Sequence, residues 1–266
     1  IGKNSNLSEK LLTKIANSVS VSSREIIENP DVLNAYKNEE INLIFNNFQT
    51  SVKLNNIDNA SSYIENSILC TSKVLDFFNN SNINKIIYTS SSSVYGNNNY
   101  CLESDTLNPI SLHSSLKIAN EKLIEKYCLD RNINYTISRI FNMYGGNDKF
   151  SIISKIIDSY KHNNIITLLN KGTAIRDFIH IDDVVEIYLE ILELKNVNIL
   201  NIGLGEGTSI KRILDFLANK GIFIETDNIF REELKVSTSN NQLLKHLTMK
   251  CTYIKVEEYL YKELIL

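Results

Sequence analysis

The sequence predicts an α/β chain built on a doubly wound parallel sheet, with a smaller C-terminal subdomain attached. Three observations carry this expectation. Short β-branched and aromatic runs alternate with amphipathic helical stretches along most of the chain. The strongest run, Ile86-Ile87-Tyr88-Thr89, ends in a cluster of hydroxyls, Ser90 to Ser93, at the strand end where open parallel sheets bind their ligands. Beyond Pro109 a helix carries His113 and Lys117 four residues apart, so the two side chains share one face.

Composition narrows the class. The 266 residues are 43% hydrophobic, ample for a buried core. A net charge of −3 gives no broad basic surface, which argues against nucleic-acid binding and leaves any phosphate contact to individual arginines. The cysteines Cys70, Cys101, Cys128 and Cys251 are widely separated and form no C-x-x-C pair. That pattern favours reduced thiols over a zinc site, and no metal ligand set is expected. No apolar run is long enough to span a bilayer and no signal-peptide pattern occurs, so the expectation is a cytoplasmic protein without a membrane partner.

Taken in order, the chain opens at Ile1-Gly2, and a short strand is expected to precede Ile1 in the native protein. Gly2 to Ser8 leads into a helix with apolar positions at Leu7, Leu11, Leu12 and Ile15. Ser18 to Ser22 alternates as a second strand and runs into Ser23 and Arg24. Ile41 to Phe45 reads as the next buried strand, with Asn46-Asn47-Phe48 at its tip. Asp58 to Asn79 is an amphipathic helix presenting Ile64, Ile68, Leu75 and Phe78 on one face.

The helix after Pro109 aligns Lys117, Asn120 and Ile124 along one line and Leu116, Ala119, Leu123 and Tyr127 along another. Tyr135 to Ile140 is a strand, Phe150 to Lys161 a helix and Ile165 to Leu169 a short strand. Asp182 is placed to cap the helix that comes after it. Asn201 to Gly207 reads as a strand-to-helix loop, and the closing helix, Lys255 to Leu264, packs by Val256, Tyr259, Leu260 and Leu264.

Four blocks carry a family resemblance. They are S-S-S-S-V-Y-G at Ser90 to Gly96, followed by Glu103, Pro109, Lys117 and Glu121; R-I-F-N-M-Y-G at Arg139 to Gly145; G-T-A-I-R-D-F-I-H-I-D-D-V at Gly172 to Val184; and N-I-G-L-G-E-G at Asn201 to Gly207. The chain resembles the extended short-chain dehydrogenase/reductases, the NAD-dependent epimerase/dehydratase group acting on nucleotide sugars. The resemblance runs from Gly2 to about Lys245. It implies a Rossmann-type dinucleotide-binding domain over residues 1–145, to which 173–203 return. Residues 146–172 and 204–266 would then form a substrate-binding subdomain.

The same resemblance assigns roles. Ser91 falls on the family's catalytic Ser/Thr and Lys117 on the lysine of its Tyr-x-x-x-Lys pair, while His113 stands at the tyrosine position. Lys117 would also bind the nicotinamide ribose. Gly2, Ser5 and Ser8 occupy the three glycine positions of the family's cofactor loop, at a helix start suited to a pyrophosphate. Arg24 and its neighbouring serines stand where an NAD-specific enzyme places an acidic residue. A 2′-phosphate would suit them, so the cofactor is NADP(H) or NAD(H) with a lean to NADP(H); a solvated loop arginine is the other reading of Arg24. Asn66 matches the family's helix asparagine, whereas Asn47 stands where small alanines usually face the cofactor. Asn142, Arg176 and Arg231 match substrate positions, the two guanidinium forks being suited to one diphosphate. A homodimer through paired helices is expected.

Hydride exchange at a sugar carbon needs a proton donor or acceptor on the neighbouring oxygen. Imidazole titrates near neutral pH, but it is shorter than a phenol. His113 therefore has three readings: an enzyme that uses histidine, an altered tyrosine enzyme, or a protein that binds nucleotide sugar without turnover. Family dehydratases carry Asp-Glu directly after the catalytic Thr, whereas Ser92-Ser93 come after Ser91, so a 4,6-dehydratase is not expected. The short chain, the glycine-poor loop and Arg24 lean towards 4-keto reduction of a nucleotide-activated deoxysugar destined for surface polysaccharide. A 4-epimerase with tightly held NAD and an inactive nucleotide-sugar-binding relative are the alternatives.

Overall fold

The computed structural model describes residues 1–47 and 60–266. The expected tip residue Phe48 and helix residues Asp58 and Asn59 lie outside the described residues.

In chain order, α1 (Asn6–Leu12) and α2 (Ser23–Glu28) precede β1 (Ile41–Phe45). Next come α3 (Ala60–Ile64) and α4 (Cys70–Phe77), joined by the π-turn Glu65–Leu69, then β2 (Ile83–Ser91) and β3 (Asn98–Cys101). The long helix α5 (Leu112–Arg131) leads to β4 (Asn134–Ile140), β5 (Asn142–Tyr144), α6 (Ile152–His162) and β6 (Ile166–Leu169). β7 (Ile175–His180) runs into α7 (Ile181–Glu193), followed by β8 (Ile199–Ile202), β9 (Gly207–Ser209) and α8 (Ile210–Asn219). β10 (Thr226–Ile229), β11 (Val236–Ser239), α9 (Gln242–Leu247) and α10 (Val256–Ile265) complete the chain.

Two compact units emerge, the first formed by residues 1–94, 109–139 and 188–200, the second by 95–108, 140–187 and 201–266. Residues 95–108, 140–145, 173–187 and 201–203, which the sequence reading places with the dinucleotide-binding part, cluster with the second unit.

The first unit is organised on a sheet of order β1-β2-β4-β8, with β1 and β2 parallel and Phe45 opposite Tyr88. Alternation alone does not describe β2. From Ile86 to Ser90 every residue is buried, the pattern of a strand covered on both faces. Its core gathers Phe45, Val74, Phe78, Ile86, Ile124 and Ile137.

Three expectations for this unit are corrected. Ser18 to Ser22 is not a strand: the Gly2 and Lys3 N–H groups both converge on the Val21 carbonyl instead of forming a ladder. Ile1 in turn bonds both Ile44 and Asn46, making a single parallel bridge opposite Phe45. The long helix, secondly, buries only part of the face read from its periodicity: Leu75 and Phe78 are buried as expected, but Ile64 near its start is not. Ile64 is 42% exposed, and the buried line runs through Tyr63, Ser67, Cys70, Val74 and Phe78. The π-turn inserts an extra residue into the helical register and so rotates α3 about the helix axis relative to α4. Helix α1 also stops at Leu12, leaving Ile15 in the turn beyond it.

The second unit holds a sheet of order β3-β11-β7-β5, to whose β7 the short β9 adds antiparallel, and a separate parallel pair, β10 with β6. Its core packs α6, α8 and α10 through Ile153, Ile156, Ile213, Leu217 and Leu260. Asp182 lies in the first turn of α7 instead of capping it; the His180 ring accepts from the Asp182 backbone N–H (3.2 Å). Asp183, one residue on, accepts from the Ile254 N–H and pairs with Lys250 at 2.8 Å.

Candidate active site

In the first unit the site is built at the carboxyl end of β2. Thr89, Ser90 and Ser91 close the strand, and a short 3-10 turn, Ser92–Tyr95, carries the chain away. Ser91 is partly buried, and its hydroxyl accepts from the Ser93 N–H (3.2 Å), which fixes the side chain on the turn.

Helix α5 is held against this strand end by polar groups rather than by an apolar stripe. Lys117 is 2% exposed, and its ammonium donates to the Thr89 carbonyl (2.7 Å) and lies 5.1 Å from the centre of the Tyr88 ring. Burial pushes its pKa well down, with Glu121 opposing. One turn deeper, Glu121 receives the Ser90 hydroxyl and a two-pronged contact from Arg139, at 2.8 and 3.2 Å. Such a pair contributes little net stability but is costly to break on one side, so it sets which face of α5 turns inward. Ser111 caps the helix by accepting from the Ser114 N–H (3.2 Å), which places His113 in the first turn, one turn before Lys117.

His113 meets Tyr63 of α3 in an edge-on ring contact with centroids 5.9 Å apart. Burial, and secondly the Lys117 charge, lower its pKa from 6.5 to about 4, so the ring is neutral at pH 7. The free imidazole offers a hydrogen-bond acceptor there, and the lowered pKa weakens it as a base.

The turn before α1 is the other half of this unit's polar chemistry. Gly2 has φ of +100°, and a β-carbon on it would meet the Asn46 carbonyl oxygen at 2.6 Å, so only glycine makes this turn without strain. Ser5 caps α1 by accepting from the Ser8 N–H (3.0 Å) and donates to the Ser8 hydroxyl (2.9 Å). Asn46 joins Ser8 to the site, donating to its hydroxyl (3.0 Å) and receiving the Thr89 hydroxyl. Arg24 is exposed on α2. Asn47 is buried and turned onto the π-turn, where its amide donates to the Asn66 carbonyl (3.3 Å), the Ser67 carbonyl (3.0 Å) and the Thr71 hydroxyl (3.0 Å). Asn66 itself bonds back to the Ser62 carbonyl at 2.8 Å.

In the second unit Arg176 sits at the start of β7. Its guanidinium donates to the carbonyls of Ile175 (2.9 Å) and Leu234 (2.6 Å) and to the Glu233 carboxylate (3.4 Å). The Arg231 backbone is tied to the same place by Asn170, which donates to its carbonyl (2.7 Å) and accepts from its N–H (3.3 Å). Asn142 donates to the Asp177 carbonyl (3.1 Å). Asp177 is a structural carboxylate. It accepts from the N–H groups of Leu204, Gly205 and Ser239 and from the Ser239 hydroxyl (2.6 Å), so the Gly203 and Gly205 loop is built around it.

The structure thus places Ser91, His113 and Lys117 on β2 and the start of α5, and Gly2, Ser5 and Ser8 at the turn into α1. Tyr63 against His113, Asn47 against the π-turn and Glu233 against Arg176 were not legible in the sequence. Each partner is distant along the chain or outside any local motif.

A family model described as "NAD dependent epimerase/dehydratase family" matches residues 5–203. Over 173 residues the chain is 31% identical to a putative UDP-glucose 4-epimerase of Methanocaldococcus jannaschii, a stretch covering 62% of this chain and 56% of that protein. It is 32% identical to protein CapI of Staphylococcus aureus over 49% of this chain and 40% of that protein. The chain therefore spans about half the length of the curated relatives it matches. Among solved structures, the UDP-glucuronic acid 4-epimerase of Bacillus cereus, in complex with UDP-glucuronic acid and NAD, superposes with a TM-score of 0.84 at 23% identity. That match covers 100% of this chain and 88% of the other.

Proposed function

Because the chain belongs to the NAD-dependent epimerase/dehydratase family, we propose that it acts as a nucleotide-sugar 4-epimerase that holds NAD. The reading is supported by one observation: Lys117, buried on α5 one turn after the neutral His113, bonds the Thr89 carbonyl two residues before Ser91. The names of the relatives favour epimerisation over the 4-keto reduction expected from the sequence, and NAD over NADP(H).

The residues fit a dinucleotide. Gly2 makes the left-handed turn that lets the chain enter α1 directly, and Ser5 and Ser8 keep their hydroxyls bonded to each other and to the turn. NAD, when bound, supplies reversible hydride acceptance at the sugar carbon. Ser91 hydrogen-bonds the sugar oxygen at that carbon, and His113 Nδ1 or Nε2 takes the hydroxyl proton and returns it after the sugar has turned. Lys117 orients the ribose next to the nicotinamide. Within the second unit, Arg176 and Arg231 are assigned to a diphosphate and Asn142 to a sugar nucleotide. A homodimer belongs to the same proposal, supported by the exposed apolar residues Ile64, Leu69, Leu112 and Leu129 around α3 to α5.

The test is to denature the purified chain and assay released nicotinamide, then incubate native protein with UDP-glucose and UDP-glucuronic acid and follow the C4 epimer by NMR. Released NAD with epimer formation, abolished by His113→Ala, supports the proposal. NADPH consumption with a 4-keto sugar nucleotide and no epimer would return the function to reduction. Absence of nicotinamide and of turnover, with nucleotide sugar still bound, would leave a binding protein.

A further inference from the structure

Arg176 is not a free anion receptor. Its side chain is 19% exposed, and the carboxylate 3.4 Å from it, Glu233, is 18% exposed. Glu233 is fixed from both sides, because its other oxygen receives the Asn170 amide at 2.8 Å. Asn170, in a left-handed conformation at φ +45°, uses that same amide to hold the Arg231 carbonyl. One asparagine therefore fastens Glu233 and the Arg231 backbone together, beside Arg176. The guanidinium has two N–H groups committed to carbonyls and one to the carboxylate, and Nε and one N–H of Nη1 remain for a ligand. Any anion bound there shares the arginine with a built-in negative charge.

We propose that Glu233 is a specificity-determining residue of the diphosphate subsite, selecting a diphosphate esterified at both ends over one with a free terminal phosphate. The inference rests on the assignment of Arg176 to diphosphate binding. The chemistry is that of ionisation. A nucleotide sugar carries one negative charge on each phosphate, because each is esterified on one side and joined to the other through the anhydride oxygen. A free nucleoside diphosphate ends in an unesterified phosphate, held only through the anhydride oxygen, whose second ionisation has a pKa of about 6, so near pH 8 it presents an extra charge. A carboxylate held on the binding arginine repels that additional charge and disfavours the ligand that carries it. Without the carboxylate, the same guanidinium would favour the more highly charged species. The device keeps the unesterified nucleotide from displacing the sugar-bearing one.

The experiment is calorimetric titration of UDP and UDP-glucose into the full chain and into Glu233→Gln and Glu233→Asp, near pH 8 and low salt. The glutamine keeps an oxygen for Asn170 and removes only the charge. Glu233→Gln is expected to tighten UDP by about three- to tenfold while changing UDP-glucose by about twofold or less. Glu233→Asp keeps the discrimination of the unaltered chain. Near pH 5.5, where UDP loses its second charge, the difference between the chain and Glu233→Gln should shrink. An unchanged ratio of the two affinities, or equal weakening of both ligands, would overturn the inference and reduce Glu233 to a support for Arg176. If the unaltered chain binds neither ligand, the nucleotide-sugar reading falls first, and the inference with it. Thermal melts of all three proteins separate these outcomes from misfolding.

Discussion

The His113 ring meets the Tyr63 ring edge-on, with centroids 5.9 Å apart and planes inclined at 75°. The contact ties the first turn of α5 to α3 and shields one side of the imidazole from water. A family motif predicts a phenol where His113 stands; the fold supplies a phenol from another helix, buried beside it.

That contact has a consequence for stability. The unfolded chain protonates His113 with a pKa near 6.5, whereas burial lowers the folded value to about 4. Between these values the unfolded state binds more protons, so this contribution is intact above 6.5 and is lost as the pH falls towards 4. Urea titrations across that window should show a fall in midpoint for the unaltered chain that His113→Gln lacks. Parallel curves for the two proteins would mean that the ring is not held neutral.

Ser91 is the group on the strand tip closest to the proposed chemistry in role. Ser91→Ala removes one hydroxyl and with it a single 3.2 Å bond from the Ser93 N–H, so the fold should survive. Loss of a preorganised hydrogen bond to a reacting oxygen costs about 10²- to 10³-fold in kcat. Steady-state epimerisation assays check this, and a change confined to KM would argue that Ser91 merely binds.

Glu121 and Arg139 are buried together, with side chains 2% and 4% exposed. Glu121→Leu strands a buried guanidinium and should cost about 3–5 kcal/mol. Glu121→Leu combined with Arg139→Met should recover most of that loss, because neither charge is then buried alone. Denaturant titration of the three proteins gives the coupling, and additive losses would show that the pair does not act as a unit.

Asn47 supplies donors to two carbonyls of the π-turn. Asn47→Leu removes these donors while the Ser67 carbonyl keeps the Thr71 hydroxyl (2.8 Å), so the cost is about 0.5–1.5 kcal/mol per lost bond. Amide exchange in residues 63–71 should accelerate more than elsewhere, whereas uniform acceleration would place the effect outside the turn.

Periodicity identified α5, β1, β2 and β4 because each is encoded by near neighbours in the chain. It placed Leu75 and Phe78 correctly on the buried face of the helix that begins at Ala60 but misplaced Ile64, because its neighbour Tyr63 is the residue turned inward there. It also read Ser18 to Ser22 as a strand from alternation, although a strand exists only where a neighbour offers a ladder of partners.

The sequence by itself determined the α/β class and the family, and it singled out Ser91, His113, Lys117 and Arg176, all of which lie in contiguous motifs. Only the tertiary structure decided that His113 is neutral, that Asn47 faces a helix, and that Arg176 shares its charge with Glu233. Motifs and periodicity report what adjacent residues do to one another. Burial and pairing depend on residues brought together from distant parts of the chain, and the free energy of an ionisable group is set by that company.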